Sequence, residues 1–255
     1  MAMKRLDALL VERGLLPSRS MARRLVLEGA VEVLARDGWR AATKPGQACQ
    51  PDLAVRISDG ASLRYASRGG LKLAAALRRS GMPVAGATVL DVGQSTGGFT
   101  DCLLQAGAAR VIGIDSGHGQ LAPALRGDPR VVCLERINAR HLPAGVAPEL
   151  LPPGGFSHAV MDVSFISQTL IVPGLLPLLA PGALLLALVK PQFEVGRDHV
   201  GKGGVVSDPA MHELTRSRIT AHYRGQGLQV LDYFDSSIAG GDGNREFFIF
   251  AQAPR

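Results

Sequence analysis

The sequence predicts an α/β protein, a mostly parallel sheet covered by helices, preceded by a small α+β unit. Three observations carry this. From Thr88 onward, short strand-like runs alternate with helical patterns. Those runs are apolar on both faces, as strands covered on both sides are. The first 60 residues have another texture, two helical patterns followed by short strands.

Within residues 1–60, Leu6, Leu9 and Leu10 mark one helical face and Ala22, Leu25 and Val26 a second, with "PSRS" breaking and capping between them. "GAVEVL" and "DLAVRIS" read as strands. Residues 61–87 read as a connector plus one helix, "YASRGGLKLAAALRRSG". Residues 88–255 follow as the main domain. There "TVLDVG", "ARVIGID", "RVVCLE", "SHAVMDVSF", "ALLLALVKP", "LQVLDYFDSS" and "REFFIF" are the strands. "FTDCLLQAG" and the stretch from Pro209 to Tyr223 are helices.

The stretch from Leu170 to Val189 carries no charge and is about long enough for a membrane span. Pro173, Pro177 and Pro181, with Gly174 and Gly182, interrupt it. A buried helix end, a turn at "APGA" (residues 180–183) and a buried strand account for it better. The start of the chain is charged through its first helical pattern and lacks a signal peptide's apolar core. Cys49, Cys102 and Cys133 are far apart and form no CxxC pair, which argues against a disulfide scaffold or zinc site and suits a reducing cytoplasm. The net charge of +6 is compatible with a polyanionic partner. Residues 1–60 hold ten Lys/Arg against seven Asp/Glu. Arg19, Arg23 and Arg24 cluster around one helix start, with Lys4 and Arg5 at the chain start. These are either solvated helix charges or a phosphate grip, since guanidinium forks match phosphate oxygens.

Two features suggest chemistry. "DVGQSTGGFTD" (Asp91 to Asp101) joins a strand to a helix, and its glycines Gly93, Gly97 and Gly98 allow a ligand close to the backbone. Asp115 ends the next strand 22 residues after Gly93, where a carboxylate accepts from ribose hydroxyls. Together they suit an adenosine-containing cofactor; the alternative is an ordinary tight turn with a capping Asp. Ionisable residues then mark strand ends: Asp162 in "VMDVSF", Lys190 in "ALVKPQ", and Glu246 at the start of the last strand. Lys72 lies on the helix before the glycine loop. Carboxyl ends of parallel strands share one edge, so Asp162 and Lys190 meet there, and Glu246 joins them if the last strand runs antiparallel. Singly, each also suits a salt bridge; four residues of alternating sign favour function.

The stretches "SRGGLKL", "DVGQSTGGFTD", "HGQLAPALRGDPRV", "LERINAR", "DVSFIS", "LVKPQFEVGR", "GKGGVV" and "GNREF" resemble the TlyA-type family of ribosomal RNA 2′-O-methyltransferases, some of whose members are called haemolysin A. The resemblance covers nearly the whole chain. Gln94 stands where alanine is usual, and Ser116 where valine is common. The resemblance implies a Rossmann-like, S-adenosylmethionine-dependent methyltransferase domain and an N-terminal RNA-binding module like that of a small-subunit ribosomal protein. It implies a catalytic set of Lys72, Asp162, Lys190 and Glu246. Gly93, Ser95, Thr96, Gly97, Gly98, Asp115 and Asn138 would contact the cofactor. Arg68, Arg136 and Lys202 join the N-terminal Lys4, Arg5, Arg19, Arg23 and Arg24 as expected RNA contacts. The expected activity is methylation of a cytidine ribose in 16S and/or 23S RNA, within ribosomal subunits or their precursors. A cytoplasmic monomer needing no metal and no membrane is expected. The competing readings are base methylation, a membrane-active haemolysin and a non-catalytic ribosome-assembly protein. Whether Lys190 works neutral or charged stays open.

Overall fold

The computed structural model describes residues 3–16, 18–27, 29–57, 64–142, 146–240 and 242–255. The chain divides into two compact units, Met1–Arg64 and Tyr65–Arg255. The domain boundary expected at residues 60 and 61 lies outside the described residues, as does Pro17 of the "PSRS" break.

In the first unit, β1 (Lys4–Arg5) leads into α1 (Leu6–Glu12), and α2 (Arg19–Leu27) follows. Ser18 precedes α2, and its hydroxyl accepts the Met21 N–H at 3.2 Å. β2 (Val31–Ala35), β3 (Gly38–Ala41) and β5 (Val55–Ile57) form an antiparallel sheet in the order β3-β2-β5, while β4 (Ala48–Cys49) pairs with β1. Leu6, Leu9, Leu10, Ala22, Leu25 and Val26 are buried together, so both expected helical faces form the core. The β2–β3 hairpin turns at Arg36 and Asp37, and β3 had no strand-like signature because Gly38 and Arg40 flank a lone Trp39.

The second unit is built on β6 (Thr88–Val92), β7 (Arg110–Ile114), β8 (Val131–Leu134), β9 (Phe156–Met161), β10 (Leu179–Val189), β11 (Gln229–Asp235) and β12 (Phe247–Gln252). They form one seven-stranded sheet in the order β11-β12-β10-β9-β6-β7-β8. β10, β9, β6, β7 and β8 are mutually parallel, and β12 runs antiparallel to both its neighbours. The chain order reverses at β6, which lies between β7 and β9, leaving a crevice beyond the carboxyl ends of these strands.

Both faces are covered, which explains the unbroken apolar runs. Leu90, Val92, Leu185, Ala187 and Val189 face one cluster with Ile219 and Tyr223 of α7 (Pro209–Gly225). Val89, Val160, Leu186 and Leu188 face the other. It holds Leu73 and Ala76 of α3 (Gly69–Ser80) and Phe99 and Leu103 of α4 (Gly98–Gln105). Thus α3, part of the expected connector, lies in the second unit's core.

The "APGA" segment is not a turn between two elements. It lies inside β10, where the pairing with β9 shifts between Leu179 and Leu184. Gly182 takes φ +75° and its N–H donates to Pro254 O at 2.8 Å, so the chain end supports the irregular stretch. Only short helical pieces precede it, α6 (Val172–Leu175) and a 3-10 turn at Leu176–Leu178. Among the described residues no helix is long and apolar enough to cross a membrane.

Candidate active site

The antiparallel entry of β12 assembles the site. β10 and β12 pair Val189 with Phe247. Lys190, just past one, and Glu246, just before the other, therefore lie at the same sheet edge. Asp162 extends β9 there, its N–H donating to Val92 O at 2.9 Å. Lys190 Nζ stands 2.6 Å from Asp162 Oδ1 and donates to Ser164 Oγ at 2.9 Å. From α3, Lys72 Nζ donates to Glu246 Oε2 at 2.5 Å. Glu246 is only 3% exposed. Burial raises its pKa; Lys72 and then Lys190 act against that, and Asp162 adds to it. The four residues expected to meet thus form two ion pairs within each other's fields.

Two adjoining clefts open on them. A smaller one, about 410 Å³, is lined by Lys72, Lys190 and Glu246, with Gln192, Asp242 and Val200 around them. A larger one, about 680 Å³, lies over the ends of β6, β7 and β9 and includes Gly93, Ser95, Asp115, Asn138 and Asp162. Ser164, Phe165 and Phe193 line both. Phe165 takes a left-handed φ of +64°, is 90% exposed, and packs its ring 5.1 Å from that of Phe193. The sequence carried no sign of this pair, because a phenylalanine after an apolar strand reads as core.

The seven residues expected at a cofactor divide. Gly93, Ser95, Asp115 and Asn138 line the larger cleft. Gly93 has φ +92°, and a Cβ there would stand 2.2 Å from the Asp162 carbonyl oxygen. Asp115 accepts the Ser95 N–H and the Gly117 N–H, each at 2.7 Å, and a carboxylate has lone pairs left for further donors. Asn138 caps a 3-10 turn by accepting the Arg140 N–H at 3.0 Å. Thr96, Gly97 and Gly98 are not in that lining. Leu121 and Leu125 fill the space a Gly97 Cβ would need, and Ser67 that of a Gly98 Cβ, so these two glycines serve protein packing. Ser116, in the valine position, also lines the cleft.

Beneath the loop, Thr100 Oγ1 donates to buried Asp91 at 2.6 Å, and Gln94 Nε2 donates to Thr100 at 2.9 Å. The Gln94 side chain occupies the room left by Gly113. Burial, with smaller contributions from Asp162 and Asp115, pushes the Asp91 carboxyl up to about 7, against the Thr100 bond.

The candidate RNA contacts sit in both units. In the first, Arg5 and Arg19 hold the buried Asp7 carboxylate, Lys4 pairs with Glu12, and Arg23 is exposed. Arg24 is half-buried. In the second, Arg68 is half-buried at the start of α3, Arg136 is exposed with φ +61°, and Lys202 is exposed in a turn.

Residues 65–253 match the FtsJ-like methyltransferase family and residues 4–33 match the S4 domain. The chain belongs to the FtsJ-like methyltransferase family. One relative of this methyltransferase, the 16S/23S rRNA (cytidine-2′-O)-methyltransferase TlyA of Mycobacterium tuberculosis, is 42% identical over 96% of this chain and 88% of its own. Hemolysin A of Brachyspira hyodysenteriae is 36% identical over 95% and 97%. A solved S-adenosylmethionine-dependent methyltransferase from Mesorhizobium loti shares the fold, with a TM-score of 0.52 at 14% identity over 70% of this chain and 96% of its own. Membership of an FtsJ-like methyltransferase family implies S-adenosylmethionine as methyl donor, and a cleft ending in a carboxylate and a close-approach glycine fits an adenosine ligand.

Proposed function

We propose that this methyltransferase modifies the ribose 2′-hydroxyl of a cytidine in ribosomal RNA, within ribosomal subunits or their precursors. The observation that carries the proposal is the pair of ion pairs, Lys190–Asp162 and Lys72–Glu246, at the junction of two clefts. The cytidine and its ribose position come from the M. tuberculosis relative.

The larger cleft would take S-adenosylmethionine, with Asp115 accepting from ribose hydroxyls and Gly93, Ser95 and Asn138 around the rest. Thr96, Gly97 and Gly98 act by shaping the turn. When bound, this cofactor supplies an electrophilic sulfonium methyl. What remains for the protein is to hold a weakly nucleophilic hydroxyl in place and favour loss of its proton. The Lys190 ammonium, steadied by Asp162 and Ser164, stabilises alkoxide character developing on O2′, whose proton leaves to the Asp162 carboxylate or to solvent in the open cleft. Lys72 and Glu246 fix the far wall and position the ribose. The exposed Phe165 offers its ring at the mouth for stacking against a base, which suits a target nucleotide unstacked from its neighbours. One chain supplies all four ionisable groups, so a monomer is sufficient for the proposed chemistry, and none of these steps calls on a metal. Such a substrate would be met in the cytoplasm, where ribosomal subunits are made. The S4 domain supplies docking affinity through Lys4, Arg5, Arg19, Arg23 and Arg24, and Arg68, Arg136 and Lys202 add phosphate contacts near the site.

Calorimetric titration with S-adenosylmethionine, followed by transfer of a labelled methyl to unmodified ribosomal subunits, tests this reading. Binding that Asp115→Ala weakens about tenfold or more, and label in RNA, are expected. Unchanged binding by that variant would move the cofactor elsewhere.

A further inference from the structure

The segment "KPQFEVGR" holds a buried carboxylate that the proposed chemistry does not use. Glu194 is 3% exposed. Its Oε1 accepts the Gln168 N–H at 2.9 Å and its Oε2 accepts the Ser167 hydroxyl. Gln168, 1% exposed, donates through Nε2 to Leu188 O of β10 at 2.7 Å and accepts the Tyr223 hydroxyl of α7 at 2.7 Å. Arg218 of α7 donates to the Glu194 carbonyl at 2.8 Å. A carboxylate is expensive to bury unless its oxygens are hydrogen-bonded, and each Glu194 oxygen accepts one bond from the Ser167–Gln168 segment.

The location of this cluster suggests its use. Residues 163–166 bridge Asp162 to Ser167, and they include Ser164, which accepts from Lys190, and Phe165, held in a left-handed conformation. Val92 anchors one end of that bridge through the Asp162 N–H. Glu194 anchors the other, and Glu194 itself ends the short turn that begins after Lys190. Asp162, the bridge, Ser167, Glu194, the turn and Lys190 thus close a ring.

We infer that Glu194 is a positioning residue for methyl transfer: it clasps the exits of β9 and β10 so that Asp162 and Ser164 stay on the Lys190 ammonium. This rests on the reading of Lys190 as the group beside the 2′-hydroxyl. Removing the clasp lets two loops slide past each other, and a misplacement of about 1 Å at a reacting group costs up to about 100-fold in rate.

The test uses the full chain with Glu194→Ala, Glu194→Gln, Ser167→Ala and the Glu194→Ala/Ser167→Ala double variant. The readouts are melting temperature, S-adenosylmethionine affinity, and kcat and KM on unmodified ribosomal subunits, with kcat per cofactor-binding molecule well below every melting temperature. Glu194→Ala is expected to lower kcat about 10- to 100-fold, with KM for subunits within about threefold. Glu194→Gln, which keeps one acceptor, should recover part of that loss. Ser167→Ala should cost about threefold or more alone and almost nothing further in the Glu194→Ala background, because both sever the same link. If Glu194→Ala fails to fold, Glu194→Gln and Ser167→Ala still decide the matter. A lowered melting temperature with wild-type kcat per cofactor-binding molecule would overturn the inference, as would fully additive losses. Absence of transfer by the wild-type chain would instead overturn the methyl-transfer reading on which it rests.

Discussion

Lys190 reaches both Asp162 and Ser164, and this double contact fixes its ammonium rather than leaving it to roam on a flexible stem. Lys190→Ala should therefore lower kcat about 100-fold or more, as losing a preorganised charge at a developing oxyanion does. Cofactor affinity should stay within about threefold, because Lys190 lines only the smaller cleft. Single-turnover transfer and calorimetry separate the two effects. Asp91 gives a second residue-level expectation. Its pKa is raised from 3.8 to about 7, so the folded chain holds the proton more tightly than the unfolded chain. The resulting stability is complete below the unfolded pKa and is lost as pH rises through about 7. Asp91→Asn keeps the acceptor for Thr100 and removes the titration. Urea unfolding at pH 5 and pH 8 should show wild type losing ground to this variant by about 3 kcal/mol at most. Parallel pH curves would contradict a buried, titrating Asp91.

Strand ends and the loops between them set the geometry, and much of this was readable. Apolar runs closing on Asp162 and Lys190 marked carboxyl ends of buried strands, and a hypothetical antiparallel last strand brought Glu246 to them; the Val189–Phe247 register realises that arrangement. Less legible was the purpose of each glycine, since the same residue type admits a ligand or a neighbouring side chain. Gly97 and Gly98 do the second, against Leu121, Leu125 and Ser67. Also hidden were the bulged start of β10, which needs the chain end to satisfy it, and Phe165, whose exposure depends on a left-handed backbone. Gly93 lies where both needs coincide. Gly93→Ala would drive a Cβ into the Asp162 carbonyl at a positive φ. A loss of about 2 kcal/mol or more in stability is expected, together with weaker cofactor binding. Chemical denaturation and calorimetry check these, and a fully stable variant would mean the β6 turn relaxes away from Asp162.

The molecule as a whole combines a net charge of +6 with an S4 domain and a methyltransferase domain. Charges that grip phosphate should act on substrate affinity rather than on chemistry. Arg23 is exposed on α2. Arg23→Glu and Lys202→Ala should each raise KM for ribosomal RNA substrates, lower the salt slope of RNA binding by about one, and leave cofactor affinity unchanged. Arg5 and Arg19 are poorer probes, because they hold the buried Asp7 and their loss would also destabilise the first unit. The central claim, ribose methylation at a cytidine by the Lys190 site, is tested most directly by one product map. Unmodified ribosomal subunits are incubated with labelled S-adenosylmethionine and either wild type or Lys190→Ala, and the RNA is digested to nucleosides. The expected result is label in 2′-O-methylcytidine with wild type and almost none with the variant; label on a base, or full transfer by Lys190→Ala, would contradict it.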